Sequence, residues 1–204
     1  MITLKQENET TLIIKKSRFI GYVCPISCED DARTVIGQRI KLHFDARHNC
    51  FAWLLEDGAM RCSDDGEPQG TAGMPMLEVL KKSGLQNVLA VCTRYFGGIL
   101  LGAGGLVRAY TQSIAQTLNE ASKVTLIPCS LYRCDFDFAT FSRIQTPLLS
   151  AGYIISDITY AENVNVEISV TNANDDAFIK LVQNLTQGHS RPQLIGQQRM
   201  PVDT

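Results

Sequence analysis

Residues Asn87 to Leu118 read NVLAVCTRYFGGILLGAGGLVRAYTQSIAQTL. The first nine residues, through Tyr95, form a nearly continuous apolar run, the pattern of a strand buried on both faces. Between Gly97 and Gly105 five of nine residues are glycine, so the backbone can turn sharply and its amides can come close to a ligand. From Gly105 onward Leu106, Val107, Tyr110, Ile114 and Leu118 share one helical face, while Arg108, Gln112, Gln116 and Glu120 occupy another. A buried strand, a glycine bend and an amphipathic helix in this order are the signature of a mixed α and β domain, and the chain is assigned to the α+β class.

Upstream, Thr11 to Ile26 (TLIIKKSRFIGYVCPI) is β-branched and aromatic, which predicts one long strand or two short ones broken near Gly21, ended by Pro25. Ser27 followed by Asp30 resembles a capping box, and Val35, Ile36, Ile40 and Leu42 give a partial helical stripe to about His43. Cys50 to Leu55 and Ala59 to Cys62 predict a hairpin around Asp57-Gly58. The polar loop SDDGEPQG (63–70) then leads into Thr71 and a helix ending at Gly84, with Pro75 in its first turn.

Beyond Pro128 the pattern is strand (Cys129 to Asp135), helix (Phe138 to Leu149), strand (Tyr153 to Thr159), strand (Asn163 to Val170), helix (Asp175 to Gln187) and strand (Pro192 to Met200). This βαββαβ order predicts a ferredoxin-like open sandwich, so two domains are expected, 1–128 and 129–204. Pro147 predicts a kink or an early stop in the first of these helices.

Composition narrows the function classes. The formal net charge is −2, with 14 Lys and Arg against 13 Asp and Glu up to Pro128 and 5 against 8 beyond it. A polyanion is therefore expected to prefer the first domain, through a local patch. No apolar run is long enough for a membrane span and Met1 to Glu7 lacks a signal-peptide core, which predicts a cytoplasmic protein with no membrane partner. The seven cysteines form no Cys-x-x-Cys pair and are expected to be reduced and mostly buried.

Two loops are the candidates for chemistry. In Arg94 to Gly105, a helix N-terminus behind Tyr95, Phe96, Gly97, Gly98, Gly102, Gly104 and Gly105 is suited to an anion, and Arg94 and Arg108 offer bidentate contacts to phosphate. The loop lacks the Gly-Lys-Ser/Thr of a P-loop and the spacing of a dinucleotide fingerprint. In Asp64 to Gly73, the carboxylates of Asp64, Asp65 and Glu67 suit either Mg²⁺ or turn chemistry, beside Gly70 and Thr71. His43, Asp45 and His48 allow an acid/base pair or metal ligation, but no third ligand is visible and a surface or capping role is favoured. No nucleophile elbow is present, no catalytic residue is assigned, and neither a metal nor a cofactor is expected.

At these residues the chain resembles the YigZ/IMPACT family. The stretch from His48-Asn49-Cys50-Phe51-Ala52 through SDDGEPQGTAG and RYFGGILLGAGGLVRAY is similar to the family signature almost continuously, and the resemblance covers roughly residues 15 to 120. It implies an N-terminal domain like that of a small-subunit ribosomal protein, domain IV of elongation factor G and the GHMP kinases. The C-terminal domain it implies is ferredoxin-like and similar to domain V of that factor. Eukaryotic relatives are regulators of translation that bind a ribosome-associated activator. The expectation is a translation-linked regulatory protein that binds RNA or a ribosome-associated partner through the two loops, without DNA specificity. The alternatives are a Mg²⁺-dependent enzyme acting on a phosphorylated small molecule and a protein-interaction module without catalysis. Each reading requires the acidic turn and the glycine bend to meet at one solvent-facing cleft.

Overall fold

The computed structural model describes residues 1–202, which form two compact units, 1–125 and 126–202. In the first unit β2 (Asn8–Ile14), β3 (Ser17–Pro25), β4 (His48–Leu54), β5 (Met60–Ser63) and β6 (Val88–Tyr95) build an antiparallel sheet in the order β2-β3-β6-β4-β5. The short strand β1 (Ile2–Leu4), which the sequence pattern did not reveal, pairs with residues 123–125 of β7 (Lys123–Phe136).

Strand β6 is central, and it is buried on both faces because helices cover both sides of the sheet. Helix α1 (Glu29–Leu42) places Ala32 and Ile36 against Tyr22, Trp53, Leu89 and Val91. On the opposite face α2 (Gly73–Ser83) and α3 (Ala103–Glu120) pack Leu77, Leu80, Tyr110 and Ile114 against Phe19, Cys50, Ala90 and Cys92. Phe19 and Tyr110 meet edge to face, with ring centroids 5.3 Å apart.

Several local expectations are corrected. Of the two readings for Thr11 to Ile26, two strands is the correct one, but the break lies at Lys15-Lys16 and not near Gly21; φ values of 45° and 67° there make a two-residue hairpin turn. Gly21 sits mid-strand, where a Cβ would run into the hydroxyls of Thr117 and Ser113 on α3; the glycine permits close packing of helix on sheet. Helix α1 has Cys28 at its N-cap, and the contact across its start runs from Ser27 N–H to Asp31 Oδ2 (2.8 Å), one residue beyond the Asp30 of the expected box. Glu29, Asp30 and Asp31 supply the negative charge that suits a helix start. Helix α3 begins at Ala103, so Gly104 and Gly105 belong to its first turn.

The second unit carries β7 onward, α4 (Phe138–Ser150), β8 (Ile154–Tyr160), β9 (Val164–Thr171), α5 (Asp175–Leu185) and β10 (Gln193–Val202). The βαββαβ order is present. The strands lie in the order β10-β7-β9-β8, with β9 antiparallel to both neighbours, which is the split βαβ arrangement. Tyr132, Cys134, Phe136, Val164, Val166, Ile168 and Val170 bury one face of this sheet with Phe141, Ile144, Leu148, Phe178 and Val182 of the helices. Strand β7 starts at Lys123 rather than Cys129. Pro128 falls between the segments paired with β1 and β9, so its missing N–H breaks neither ladder. Helix α4 runs through Pro147 to Ser150, so the expected early stop does not occur. Pro147 lies in the last turn, where little of the helical hydrogen bonding remains downstream.

All seven thiols are free; Cys24, Cys50, Cys92, Cys129 and Cys134 are buried, Cys62 is half-buried and Cys28 is exposed. Among the described residues no helix is long and apolar enough to cross a membrane.

Candidate functional site

The acidic loop between β5 and α2 spends its first carboxylate on its own backbone. Asp64 Oδ1 accepts from Ala72 N–H (3.0 Å) and Gly73 N–H (2.8 Å), and Oδ2 accepts from Gly70 N–H (2.8 Å), closing the start of α2. Burial pulls the Asp64 pKa up, but these three donors outweigh it and hold the carboxyl below its ordinary range. Asp65 Oδ2 accepts from Asn49 N–H at 2.6 Å, and Thr71 Oγ1 donates to Pro68 O at 2.6 Å. Among the described residues no group of three His, Cys, Asp or Glu side chains is arranged to hold a metal ion.

Glu67 points the other way, into the protein. Its Oε1 accepts from Arg94 Nη1 (2.6 Å) and from Tyr110 OH (2.8 Å), linking the acidic loop to the end of β6 and to α3. The Glu67 and Arg94 side chains are 3% and 6% exposed, and Arg94 Nε is a buried donor without a partner. The Arg94 guanidinium lies 5.4 Å from the Phe19 ring centroid and 5.6 Å from that of Phe96.

The glycine bend is shaped by two requirements. Gly97 abuts the hairpin turn so closely that a Cβ would overlap the backbone of Lys16, and its N–H donates to Ser17 Oγ (3.1 Å). Gly98 and Gly102 take φ of 80° and 69°, where a side chain is strained. Ile99 and Leu100 between them, and Phe96 just before the bend, stand out into solvent, Leu100 by 82%. Helix α3 starts at the Gly102 N-cap with no side-chain cap hydrogen bond and no acidic residue in its first turn to offset the positive end of its dipole.

These pieces enclose one open cavity of about 560 Å³. Gly66, Glu67 and Pro68 come from the acidic loop, Arg94 and Phe96 from the end of β6, and Leu100 through Ala103 with Leu106 from the glycine bend and α3. Arg47 and His48 complete the wall. His48 Nδ1–H donates to the Asp65 carbonyl (2.7 Å), which leaves Nε2 3.8 Å from Glu67 Oε2. Arg47 is exposed, and among the described residues its guanidinium pairs with no carboxylate.

Of the residues singled out from the sequence, Glu67, Arg94, Phe96 and Gly102 line this cavity. Asp64, Asp65, Gly70 and Thr71 build the loop behind it, and Gly97, Gly98, Gly104 and Gly105 shape the bend and the first turn of α3. Tyr95 faces elsewhere: its OH donates to Asp45 Oδ1 (3.0 Å) and contacts His43 Nδ1 (3.1 Å), under the Arg18 guanidinium. Arg108 is exposed on α3, outside the lining. The three residues of the HFDARHN motif are thus divided. Burial and the nearby Arg39 hold the His43 pKa below its usual value, in a group with Asp45 and Tyr95, while His48 alone reaches the cavity. Arg47 and Tyr110 escaped the sequence reading, because a single arginine and a helix-face tyrosine carry no motif.

The Impact N-terminal domain family matches residues 15–118, and the sequence is 40% identical over 190 residues to the IMPACT family member YvyE of Bacillus subtilis, covering 92% of this chain and 88% of that protein. The chain belongs to the IMPACT family. It is 34% identical over 179 residues to the IMPACT family member YigZ of Escherichia coli, covering 86% of this chain and 88% of that protein. A Domain of unknown function (DUF1949) matches residues 134–189. A solved structure described as a crystal structure of an hypothetical protein superposes with a TM-score of 0.64 at 31% identity, over 96% of this chain and 97% of that one. Every residue lining the cavity falls inside the match to the IMPACT N-terminal domain.

Proposed function

We propose that this IMPACT-family chain is a translation-linked regulatory protein that binds RNA through the cavity between the acidic turn and the glycine bend. The observation that carries the reading is the uncapped start of α3 opening on the same cavity as the exposed Arg47 and the half-exposed Phe96. A helix N-terminus and a free arginine suit a phosphate, and an aromatic lip suits the face of an unpaired base. The link to translation rests on the family resemblance. The implied likeness to domains IV and V of elongation factor G is supported for the second unit by its strand order β10-β7-β9-β8. The Mg²⁺-dependent reading loses support because Asp64, Asp65 and Glu67 are each held by protein donors and point apart. The test is retention of single-stranded RNA by the full chain across a salt series, with Arg47→Ala as the variant. Affinity should fall steeply with salt, and the variant should bind more weakly with a salt slope smaller by about one. Equal, negligible retention of both proteins at low salt would reject the reading.

A further inference from the structure

We infer that the Lys15-Lys16 turn is a second phosphate contact of the RNA site, so that a bound strand crosses the end of the first sheet instead of stopping at the cavity. The inference rests on the RNA reading proposed above and extends it to residues outside the cavity lining.

The turn is held in a conformation that suits other residues better. Ile14 and Ser17 pair across it, and both central residues take positive φ, 45° and 67°, the requirement of a type I′ hairpin. Asn-Gly is the favoured pair for such a turn, whereas a lysine in the left-handed region crowds its Cβ against the following carbonyl. Two adjacent strained residues point to a use for their side chains beyond closing the hairpin. Both lysines are exposed, and among the described residues neither ammonium pairs with a carboxylate.

The sheet sets this turn beside the cavity. Strand β6 lies between β3 and β4, with Tyr95 opposite Arg18 and Arg94 opposite His48. Lys15 and Lys16 therefore lead into β3 at the same end of the sheet where Arg47 leads into β4 and Phe96 follows β6. The turn is docked there: a Cβ at Gly97 would overlap the Lys16 backbone, and Gly97 N–H donates to the Oγ of buried Ser17 (3.1 Å). Neighbouring strands lie about 4.8 Å apart, so roughly 10 Å separates the turn from Arg47, with the exposed Phe96 at the end of the strand between them. A single strand with a base stacked on Phe96 then has one flank toward Arg47 and the start of α3 and the other toward the two lysines. Arg18 does not belong to this set. Its guanidinium lies 4.3 Å from the ring centroid of Tyr95, whose OH donates to Asp45.

The experiment compares the full chain with two double variants. Lys15→Asn with Lys16→Gly removes both charges and relieves the turn; Lys15→Gln with Lys16→Gln removes the charges and keeps the side-chain length. Binding of a fluorescent oligouridylate of about a dozen residues is titrated across a salt series, and each protein is melted. Each phosphate contact on a single strand contributes about 0.7 to the salt slope, so both variants should lower it by about 1.4. That corresponds to binding about 25-fold weaker at roughly 0.1 M salt, with the difference closing toward about 1 M. The Asn-Gly variant should nevertheless melt roughly 2–4 °C above wild type, an opposite change that a folding defect does not produce. An unchanged salt slope in either folded variant overturns the inference and leaves the cavity as the whole RNA site. Weaker binding by the Asn-Gly variant alone, which would trace to the backbone and not to charge, overturns it too, as does a lower melting temperature for that variant. No retention of RNA by wild type removes the cavity reading and this inference together.

Discussion

Arg94 Nη1 lies 2.6 Å from Glu67 Oε1, with both side chains almost sealed from solvent, so one ion pair ties the end of β6 to the acidic loop 27 positions earlier. It is the joint that makes two loops into one site, and it makes Arg94 a structural residue whatever it contributes to binding.

Replacing Arg94 with Ala leaves Glu67 buried and uncompensated. The loss of stability should be about 3–5 kcal/mol, because a buried charge stripped of its partner is costly. Arg94→Met combined with Glu67→Gln should lose less than Arg94→Ala alone, since no net charge stays behind. Urea unfolding of the three proteins measures both, and an Arg94→Ala midpoint equal to wild type would contradict the geometry.

Asp64 closes the start of α2 through three backbone donors. Asp64→Ala should cost about 1–2 kcal/mol, the range of a lost helix cap. The folded carboxyl is held below its usual pKa, so its stabilisation is complete above the unfolded value near pH ~4 and fades as the pH falls through the folded one. Thermal melts from pH 6 down to 2 should therefore show a shallower acid loss in Asp64→Asn than in wild type.

Gly97 and Gly98 separate two kinds of glycine requirement. A Cβ at Gly97 overlaps the Lys16 backbone, which cannot yield as a side chain would, and Gly97→Ala should cost about 3 kcal/mol. A Cβ at Gly98 meets open space, so Gly98→Ala carries only the strain of φ near 80°, about 1 kcal/mol. Chemical denaturation should rank them in that order.

Thiol labelling reads the burial of the cysteines. Burial pushes the thiols of Cys92 and Cys134 up to about 12 and that of Cys24 up to about 11, and raises that of Cys50 further. Exposed Cys28 should react first with an aromatic disulfide reagent at pH 8, Cys62 more slowly, and these four only on unfolding. Early modification of Cys50 or Cys92, read by peptide mass spectrometry, would contradict the packed core.

At the lip of the cavity, Phe96→Ala should weaken RNA binding roughly tenfold, the magnitude of a lost base–aromatic stack, with a stability change well below that of Arg94→Ala. Parallel binding titrations and thermal melts distinguish this from a folding defect.

Much of the fold was legible because it follows from local pattern. The apolar run of β6, the amphipathic stripe of α3 and the alternation in Val164 to Val170 each reflect a periodicity that one chain segment carries by itself. The two glycine loops could be marked for the same reason. The hairpin turn escaped, since Lys15-Lys16 lacks the usual Asn-Gly or Asp-Gly and takes positive φ only because the paired strands on either side demand it. Gly21 left open in the sequence whether the strand divides there, because its reason is a helix that arrives about ninety residues later. The site divides in the same way. Composition identified acidic and glycine-rich loops, but whether Asp64 faces a ligand or its own helix, whether His48 parts from His43, and whether Glu67 meets Arg94 depend on the order of strands in the sheet. Pairing of β4 with β6 sets His48 opposite Arg94, and no periodicity within either segment encodes which strand will lie beside it.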